Sequence, residues 1–274
     1  MRKVHIGCSG FTYRDWRGTF YPSNLDNSSY LSYYEKFFSV LEVNYTFYSM
    51  PHRYTSESFI NKTKKLRFSI KANRVFTHDR SFSEKELERF LEGIKPITES
   101  DRFIALLFQF PQSFHYSEEA LEYLESLALA FSGYNRVIEF RHRSFSKKEL
   151  FSFIENLGFS LVNTDAPKLK GVMVGPWESV GTINYIRLHG RNFQKWHGGE
   201  ESYERYDYLY SEQELRELKE KIERIHLGKE TFIFFNNHYR GKGVLNALKM
   251  KSLFGEEVKV PKGLKPLEIK RLWE

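Results

Sequence analysis

Eight short apolar runs, separated by helical stretches, place the strongest constraint on how this chain can fold. Seven runs end in polar residues that alternation along the strand would place on one face, and the eighth ends in glycine and serine. The runs cover residues 4–9, 40–46, 68–71, 104–109, 137–141, 161–165, 185–189 and 232–236. Eight buried strands that alternate with helices predict an α/β fold, a (β/α)8 barrel of the TIM type. In such barrels the C-terminal strand ends line the active site, which tells us where to look for chemistry.

Composition limits the classes of protein that remain. The 274 residues suit one barrel domain over residues 1–274, and 41% hydrophobic residues supply a large core. The single cysteine excludes an internal disulfide and a multi-cysteine metal cluster. No apolar run is long enough to span a bilayer, and no signal-peptide pattern precedes the first run. We therefore expect a soluble, cytoplasmic protein that does not bind membranes; its oligomeric state is left open.

The net charge of +7 favours anionic partners, but the helices carry glutamates among their lysines and arginines. Solvated helix faces account for most of this charge, so nucleic acid is a conceivable partner that the charge alone does not favour.

Helix signals lie between the runs. A capping-box spacing at Ser83 predicts a helix to about Lys95, just before Pro96. Further helices are predicted from Ser28–Ser29 to Phe38 and over residues 117–131, 146–157, 211–226 and 244–254, the second of these with Leu121, Leu124, Leu127 and Leu129 on its buried side. Residues 166–182 predict an irregular connection between the sixth and seventh strands. Residues 190–210 predict a long loop after the seventh strand.

Side chains two apart on a strand share a face, so the polar strand ends form a set. We place this set inside the barrel mouth: Glu42, Asn44, Thr46, Lys71, Gln109, Glu139, Arg141, Asn163, Asp165, Arg187, His189 and Asn236. The alternative is a structural ion-pair network that fills the top of the barrel, in which Glu42 and Glu139 pair with the cations and no ligand is needed. Glu42 and Arg187 lie deeper and fit that structural role better.

Several motifs resemble the YecE-like family, known as domain of unknown function 72. They are the segments 6–16 and 20–22, 41–48, 68–72 with Thr77-His78, 108–111, 139–142, 186–191 and 235–237. The likeness covers nearly the whole chain. It implies a TIM-type barrel and the same site, but it names no reaction, because the activity of that family is not established.

Four residues are candidates for catalysis: Glu139, Asp165, His189 and Lys71. The carboxylates and the histidine could move protons, and the cations could hold a charged ligand. A divalent metal held by Glu139, Asp165 and His189 is a weaker alternative, because Lys71 and Arg141 crowd the same space.

A second cluster of candidates follows the seventh and eighth strands. The segment 236–243 opens a helix with two glycines, and Arg191 would face it, as in barrels that bind phosphate there. The ligand-binding candidates are Asn44, Gln109, Arg141, Arg187, Arg191, Asn236, Asn237, Arg240, Lys242, Tyr13 and Trp16. Aromatic residues of the loops, including Tyr21, Tyr45, Tyr48, Trp196 and Tyr203, could stack on a flat ligand or simply anchor the loops.

These features predict an enzyme that acts on a small phosphorylated or carboxylated ligand, by acid/base hydrolysis or isomerisation. One alternative is a metal-dependent phosphodiesterase or nuclease-like enzyme. The other is a metabolite-binding protein without catalytic activity. The sequence alone does not separate the three.

Overall fold

The structure, a computed structural model, describes residues 4–194, 204–225, 228–262 and 264. Eight parallel strands form a closed barrel in which each strand pairs with the next in sequence and β8 pairs with β1. The strands are β1 Val4–Ser9, β2 Val40–Val43, β3 Arg67–Lys71, β4 Phe103–Gln109, β5 Arg136–Glu139, β6 Phe159–Asp165, β7 Asn184–Leu188 and β8 Thr231–Phe235. The predicted (β/α)8 barrel is confirmed.

The described α-helices lie between and after these strands. They are α1 Tyr30–Tyr34, α2 Tyr45–Tyr48, α3 Arg53–Lys62, α4 Glu84–Thr98, α5 Glu118–Ala130, α6 Lys148–Asn156, α7 Glu212–Ile225 and α8 Lys242–Leu253. The sequence analysis missed α2 and α3, and the helix expected to reach Phe38 ends at Tyr34. Ser83 caps α4 through the predicted capping box, but the helix continues past Pro96. Proline has no N–H, so α4 includes Pro96 without the hydrogen bond that this position would otherwise donate to Glu92 O.

Helix α5 corrects one predicted core position. Leu124 and Leu127 are fully buried, whereas Leu129 is 77% exposed. Successive residues of a helix are about 100° apart, so Leu129 lies roughly 140° around the axis from Leu124. The spacing of two residues between Leu127 and Leu129 suits a strand but not a helix, so the prediction that Leu129 lies on the buried side was wrong.

The barrel interior and the layer between barrel and helices have separate apolar cores. Val40, Leu107, Val162 and Phe234 belong to a small cluster made of strand residues, whereas Cys8 belongs to the larger cluster that includes the helices. Cys8 is completely buried, and burial raises the pKa of its thiol well above the usual value. A thiol held neutral in this way acts as a small apolar side chain.

A tyrosine hydroxyl bridges part of the seam between β1 and β2. The Tyr34 hydroxyl accepts a hydrogen bond from Cys8 N at 2.8 Å and donates to Val40 O at 3.0 Å. Gly7 lies beside it, and a Cβ atom there would stand 2.1 Å from Val40 O. Only glycine lets the two strands and the hydroxyl meet at this point.

The two irregular connections behave differently. Residues 166–182 contain no helix or strand of their own, as predicted, and Asn163 holds the loop by pairing with both backbone groups of Glu178, at 2.8 and 3.0 Å. The loop after β7 is only partly described: Trp196, His197 and Tyr203 lie outside the described residues.

Among the described helices, none is both long and apolar enough to cross a membrane.

Candidate functional site

An ion-pair network occupies the interior of the barrel below its C-terminal mouth. Arg187 donates to both oxygens of Glu42, at 2.9 and 2.7 Å, and to Glu139 Oε2 at 2.6 Å. The Tyr185 hydroxyl donates to Glu42 at 2.8 Å. Burial alone would raise the pKa values of the two glutamates, but the neighbouring arginines outweigh it and hold both below the usual range. The part of the barrel that was expected to be structural is thus an ordered, fully paired core.

Glu139 connects this core to the mouth. Its Oε1 lies 2.6 Å from Arg141 Nε and 3.4 Å from His189 Nε2. Asn236 Nδ2 lies 3.0 Å from His189 Nδ1, which fits a neutral imidazole with its proton on Nε2. Burial, reinforced by Arg141, lowers the pKa of His189 to about 3. His189 and Glu139 have no exposed surface, so both act on a ligand only through Arg141 or another neighbour.

Above the network lies an open cleft of about 310 Å³. Lys71, Gln109 and Arg141 come from the ends of β3, β4 and β5, and they line it together, as the strand-end parity predicted. The remaining lining residues are Phe47, Tyr48, His78, Pro111, Gln112, Val172, Arg205 and Tyr206. Asn44 and Asn236 stand at the ends of β2 and β8 and do not line this cleft as the described residues form it.

Lys71 is held in a defined position. The Thr46 hydroxyl donates to the Lys71 carbonyl oxygen at 2.6 Å, and this fixes the end of β3 against α2. Lys71 Nζ donates to Gln109 Oε1 at 2.9 Å and lies 4.0 Å from the centre of the Phe47 ring. Gln109 Nε2 in turn donates to Phe110 O at 2.9 Å, so the Gln109 oxygen must face the lysine.

The same surroundings make Lys71 an unusual base. Burial lowers its pKa to about 7, and Arg187 acts in the same direction, while Glu139 opposes it. A cation over an aromatic face gains about 0.5–2 kcal/mol, which would restore only about one pKa unit. Lys71 therefore exchanges its proton far closer to neutrality than an exposed lysine does.

His78 is a residue of the cleft that sequence reasoning did not select. It lies on a single π-helical turn, Val75–Asp79, of a kind that often occurs at functional sites. Its Nδ1 is 2.9 Å from the Thr77 hydroxyl. Burial and the neighbouring Lys71 lower the pKa of His78 to about 4, so its imidazole is neutral at pH 7. The polar pair Thr77-His78 soon after β3 was the available signal.

Asp165 was expected at the mouth and does not lie there. Val162 belongs to the interior cluster, so Asn163 and Asp165, which have the opposite parity, face the helix layer. Asp165 accepts two hydrogen bonds from Arg191 at 2.9 Å and one from the Tyr210 hydroxyl at 2.8 Å. The prediction of Asp165 as a catalytic group of the mouth is wrong, and so is the inward placement of Asn163.

The predicted metal set fails for the same reason. Glu139 and His189 are adjacent inside the barrel, but Asp165 lies on the other face of β6. Within residues 4–194, 204–225, 228–262 and 264, no group of three His, Cys, Asp or Glu side chains is arranged to hold a metal ion.

Two of the three cations of the expected anion site are already paired with carboxylates. Arg191 is paired with Asp165 and with Glu214, the latter at 2.9 Å, and Lys242 Nζ is paired with Asp207. Arg240 is exposed, and its backbone N–H donates to the Asp15 carboxylate, where a bound anion would otherwise sit. Two of the protein's own carboxylates, Asp15 and Asp207, are therefore bound to the segment that leads into helix α8.

Three further ligand-binding candidates have no surface to offer. Trp16 is fully buried and donates its Nε1 proton to His238 O at 2.8 Å, which anchors the first loop to the last. Asn237 is also fully buried and bonds Tyr208 O and Asn246 at 2.8 and 2.9 Å. Arg187 is enclosed by its carboxylates. These three residues therefore offer no surface for direct ligand contact in this structure.

The loop aromatics divide into two groups. Tyr21 is fully buried and stacked on Tyr30 at 3.9 Å, which is a packing role. Tyr48, by contrast, is 77% exposed and lines the cleft. Tyr13 stacks on His238 at 4.1 Å, and Tyr206, another cleft residue, lies 5.0 Å from the same imidazole. Tyr13 thus supports the wall of the cleft rather than lining it.

A closed (β/α)8 barrel with a lysine and an arginine at its C-terminal mouth defines the class of protein. Residues 5–269 match the family model described as "Protein of unknown function DUF72", and the chain belongs to this family. It is similar to the UPF0759 protein YunF of Bacillus subtilis (strain 168), with 28% identity over 284 residues, covering 97% of this chain and 99% of that protein.

Solved structures agree with this assignment. A DUF72 family protein of Thermotoga maritima MSB8 superposes with a TM-score of 0.85 at 36% identity, over 92% of this chain and 99% of that one. A DUF72 family protein of Enterococcus faecalis V583 gives a TM-score of 0.83 at 23% identity, over 96% of this chain and 98% of that one, and supports the fold alone. The family resemblance seen in the sequence is confirmed, and no activity comes with it.

Proposed function

We propose that this protein is an enzyme that binds a small phosphorylated or carboxylated ligand in the cleft above Lys71 and Arg141 and acts by acid/base isomerisation or hydrolysis. One observation carries the proposal. In the buried network, two carboxylates balance two guanidinium groups, so a protonated Lys71 adds one uncompensated positive charge. A site of this kind either releases the lysine proton or accepts an anion.

The side chains divide the work. Arg141 and Lys71 provide the charge that holds an anionic group in the cleft, and Glu139 positions Arg141 through their 2.6 Å contact. Lys71, with its pKa lowered to about 7, has comparable populations of its charged and neutral forms at neutral pH. A group with this balance is well matched to general acid/base catalysis.

Binding and protonation should therefore be linked. A bound anion favours the charged form of Lys71 and raises its pKa, so binding takes up a proton at pH 7–8. The affinity for the anion should accordingly fall as the pH rises above the pKa of the free protein. Sulfate is a suitable probe, because its own charge does not change in this range.

Calorimetric titration with sulfate, in buffers of different ionisation enthalpy at pH 7.5, measures both the affinity for sulfate and the number of protons taken up on binding. We expect proton uptake in the wild type, no proton uptake in Lys71→Met, and loss of binding in Arg141→Met. Arg224→Met, which removes an exposed cation on α7, is the matched control and should bind as the wild type does. Sulfate binding that persists unchanged in Arg141→Met would overturn the proposed site.

Catalysis needs its own test. Incubation with a panel of small phosphorylated and carboxylated metabolites, followed by mass spectrometry, should show one of them converted by the wild type and not by Lys71→Met. A metabolite that binds tightly and is recovered intact would instead identify a binding protein and contradict the enzymatic proposal.

A further inference from the structure

We propose that the ligand of this cleft is a carbonyl compound with an anionic group, and that Lys71 Nζ bonds covalently to its carbonyl carbon as an imine. The inference rests on the proposed anion-binding cleft and adds a substrate class and a nucleophile to it.

The contacts of Lys71 leave its reactive face open. Among the described residues Lys71 forms no ion pair with a carboxylate, and its one side-chain hydrogen bond goes to an amide oxygen. Gln109 Oε1 can only accept, so the amine must donate one N–H there. The Phe47 ring covers another side of the nitrogen at 4.0 Å. The lone pair of the neutral amine then has the cleft as its open direction.

The cleft also holds what the carbonyl compound requires. Arg141 stands beside Lys71 and can hold a carboxylate or phosphate, which would fix the carbonyl carbon near Nζ. His78 faces the same space as a neutral imidazole and can accept a proton. A nucleophilic lysine in a desolvated pocket next to other cations is a recurring way to activate an amine.

The step balances without any further reagent. The nitrogen lone pair attacks the carbonyl carbon, the C=O π pair moves to oxygen, and a proton passes from nitrogen to that oxygen to give a carbinolamine. Loss of the hydroxyl as water forms the C=N bond. The amine and the carbonyl compound thus give one imine and one water. Protonation of the imine then acidifies the adjacent C–H, which is the chemistry that an isomerisation of a carbonyl compound needs.

Borohydride trapping tests the covalent step, because it reduces an imine to a stable secondary amine that peptide mass spectrometry can locate. We choose glyoxylate as the carboxylate probe and dihydroxyacetone phosphate as the phosphate probe. An ordinary lysine is about one part in a few thousand neutral at pH 7, whereas a lysine with a pKa near 7 is about half neutral. Labelling at Lys71 should therefore exceed that of an exposed lysine such as Lys148 by at least about tenfold at low probe concentration.

Two sets of controls separate this inference from the proposed function. Glycolate and glycerol 3-phosphate carry the same anions without the carbonyl, and Lys71→Arg keeps the positive charge without a nucleophilic amine. We expect all four anions to bind the wild type, and only the two carbonyl probes to be trapped, at Lys71 and not in Lys71→Arg. The carbonyl probe that is trapped at the lower concentration identifies the anionic group that the cleft prefers.

The contrary outcomes are distinct. Binding of all four compounds with no adduct at Lys71, or with equal labelling of Lys71 and Lys148, would overturn the imine and leave the anion site standing. Failure of all four to bind would overturn both proposals together.

Discussion

Replacement of Glu139 by glutamine tests whether the barrel depends on its buried ionic network. Glutamine keeps the volume of the side chain, so no cavity forms, but the negative charge shared by Arg187 and Arg141 is lost. The glutamine oxygen can accept from one of the two guanidinium groups, while its NH₂ group must point a donor at the other. Removing one partner of a buried ion pair in this way costs about 3–5 kcal/mol.

Urea unfolding monitored by circular dichroism measures this cost. At about 2–4 °C per kcal/mol for a protein of this size, Glu139→Gln should also lower the melting temperature by roughly 10 °C. Glu220→Gln breaks an exposed pair with Arg224, at 3.6 Å on α7, and should cost no more than about 1 kcal/mol. This substitution is the control for losing a glutamate charge as such.

A double variant sharpens the interpretation. Adding Arg141→Met to Glu139→Gln removes one of the two cations that lost the Glu139 charge; the other, Arg187, keeps its pairing with Glu42. The coupling between the two sites should therefore be favourable, by about 0.5–3 kcal/mol in a double-mutant cycle. If Glu139→Gln unfolds within 1 kcal/mol of the wild type, or if the two changes are simply additive, the network does not carry the energy assigned to it here.

Two further predictions concern stability. The folded-state pKa values of His189, His78 and His238 lie at about 3, 4 and 4, below the unfolded value, so the unfolded chain binds more protons between about pH 4 and 6.5 and stability is lost as the pH falls through that window. His189 alone should lower the free energy of unfolding by about 2 kcal/mol between pH 7 and 5. Urea unfolding at both pH values should show that the wild type loses about 2 kcal/mol more than His189→Gln does. An equal loss in the two proteins would contradict this prediction. On α5, Leu124→Ala should cost about 2–5 kcal/mol by chemical unfolding, whereas Leu129→Ala should stay within about 0.5 kcal/mol of the wild type; similar losses in both would mean that the two faces are misassigned.

The barrel could be predicted from the sequence because eight apolar runs with short helical spacers leave few other topologies. The face of each strand was harder to predict. Strands of a parallel barrel are buried on both sides, so Leu161 and Val162 are equally apolar and do not tell which parity faces inward. On β6, Asn163 and Asp165 face outward because their partners are the 166–182 loop, Arg191 and Tyr210, none of which periodicity reveals.

The candidate site was predictable to a similar degree. Strand-end parity brought Lys71, Gln109 and Arg141 together correctly, because on β3, β4 and β5 the polar strand-end residues do share the inward face. It could not show that Arg191 and Lys242 are already paired with acids, because a sequence displays charges but not their partners. His78 escaped notice for a different reason: a single π-helical turn has no periodic signal in the sequence.

The hydroxyl of Tyr34 couples the packing of helix α1 to the hydrogen bonding between β1 and β2. The Tyr34 hydroxyl, a side-chain group of α1, links Cys8 N to Val40 O at one point of the seam, beside the direct pairing of Cys8 with Leu41 and of Ser9 with Glu42. Helix α1 consequently cannot move away from the barrel without breaking this link and taking the Tyr34 hydroxyl away from Cys8 N and Val40 O. Opening of the first βα unit should therefore be what exposes the amide of Cys8, and this amide should exchange its hydrogen only when the packing of α1 opens.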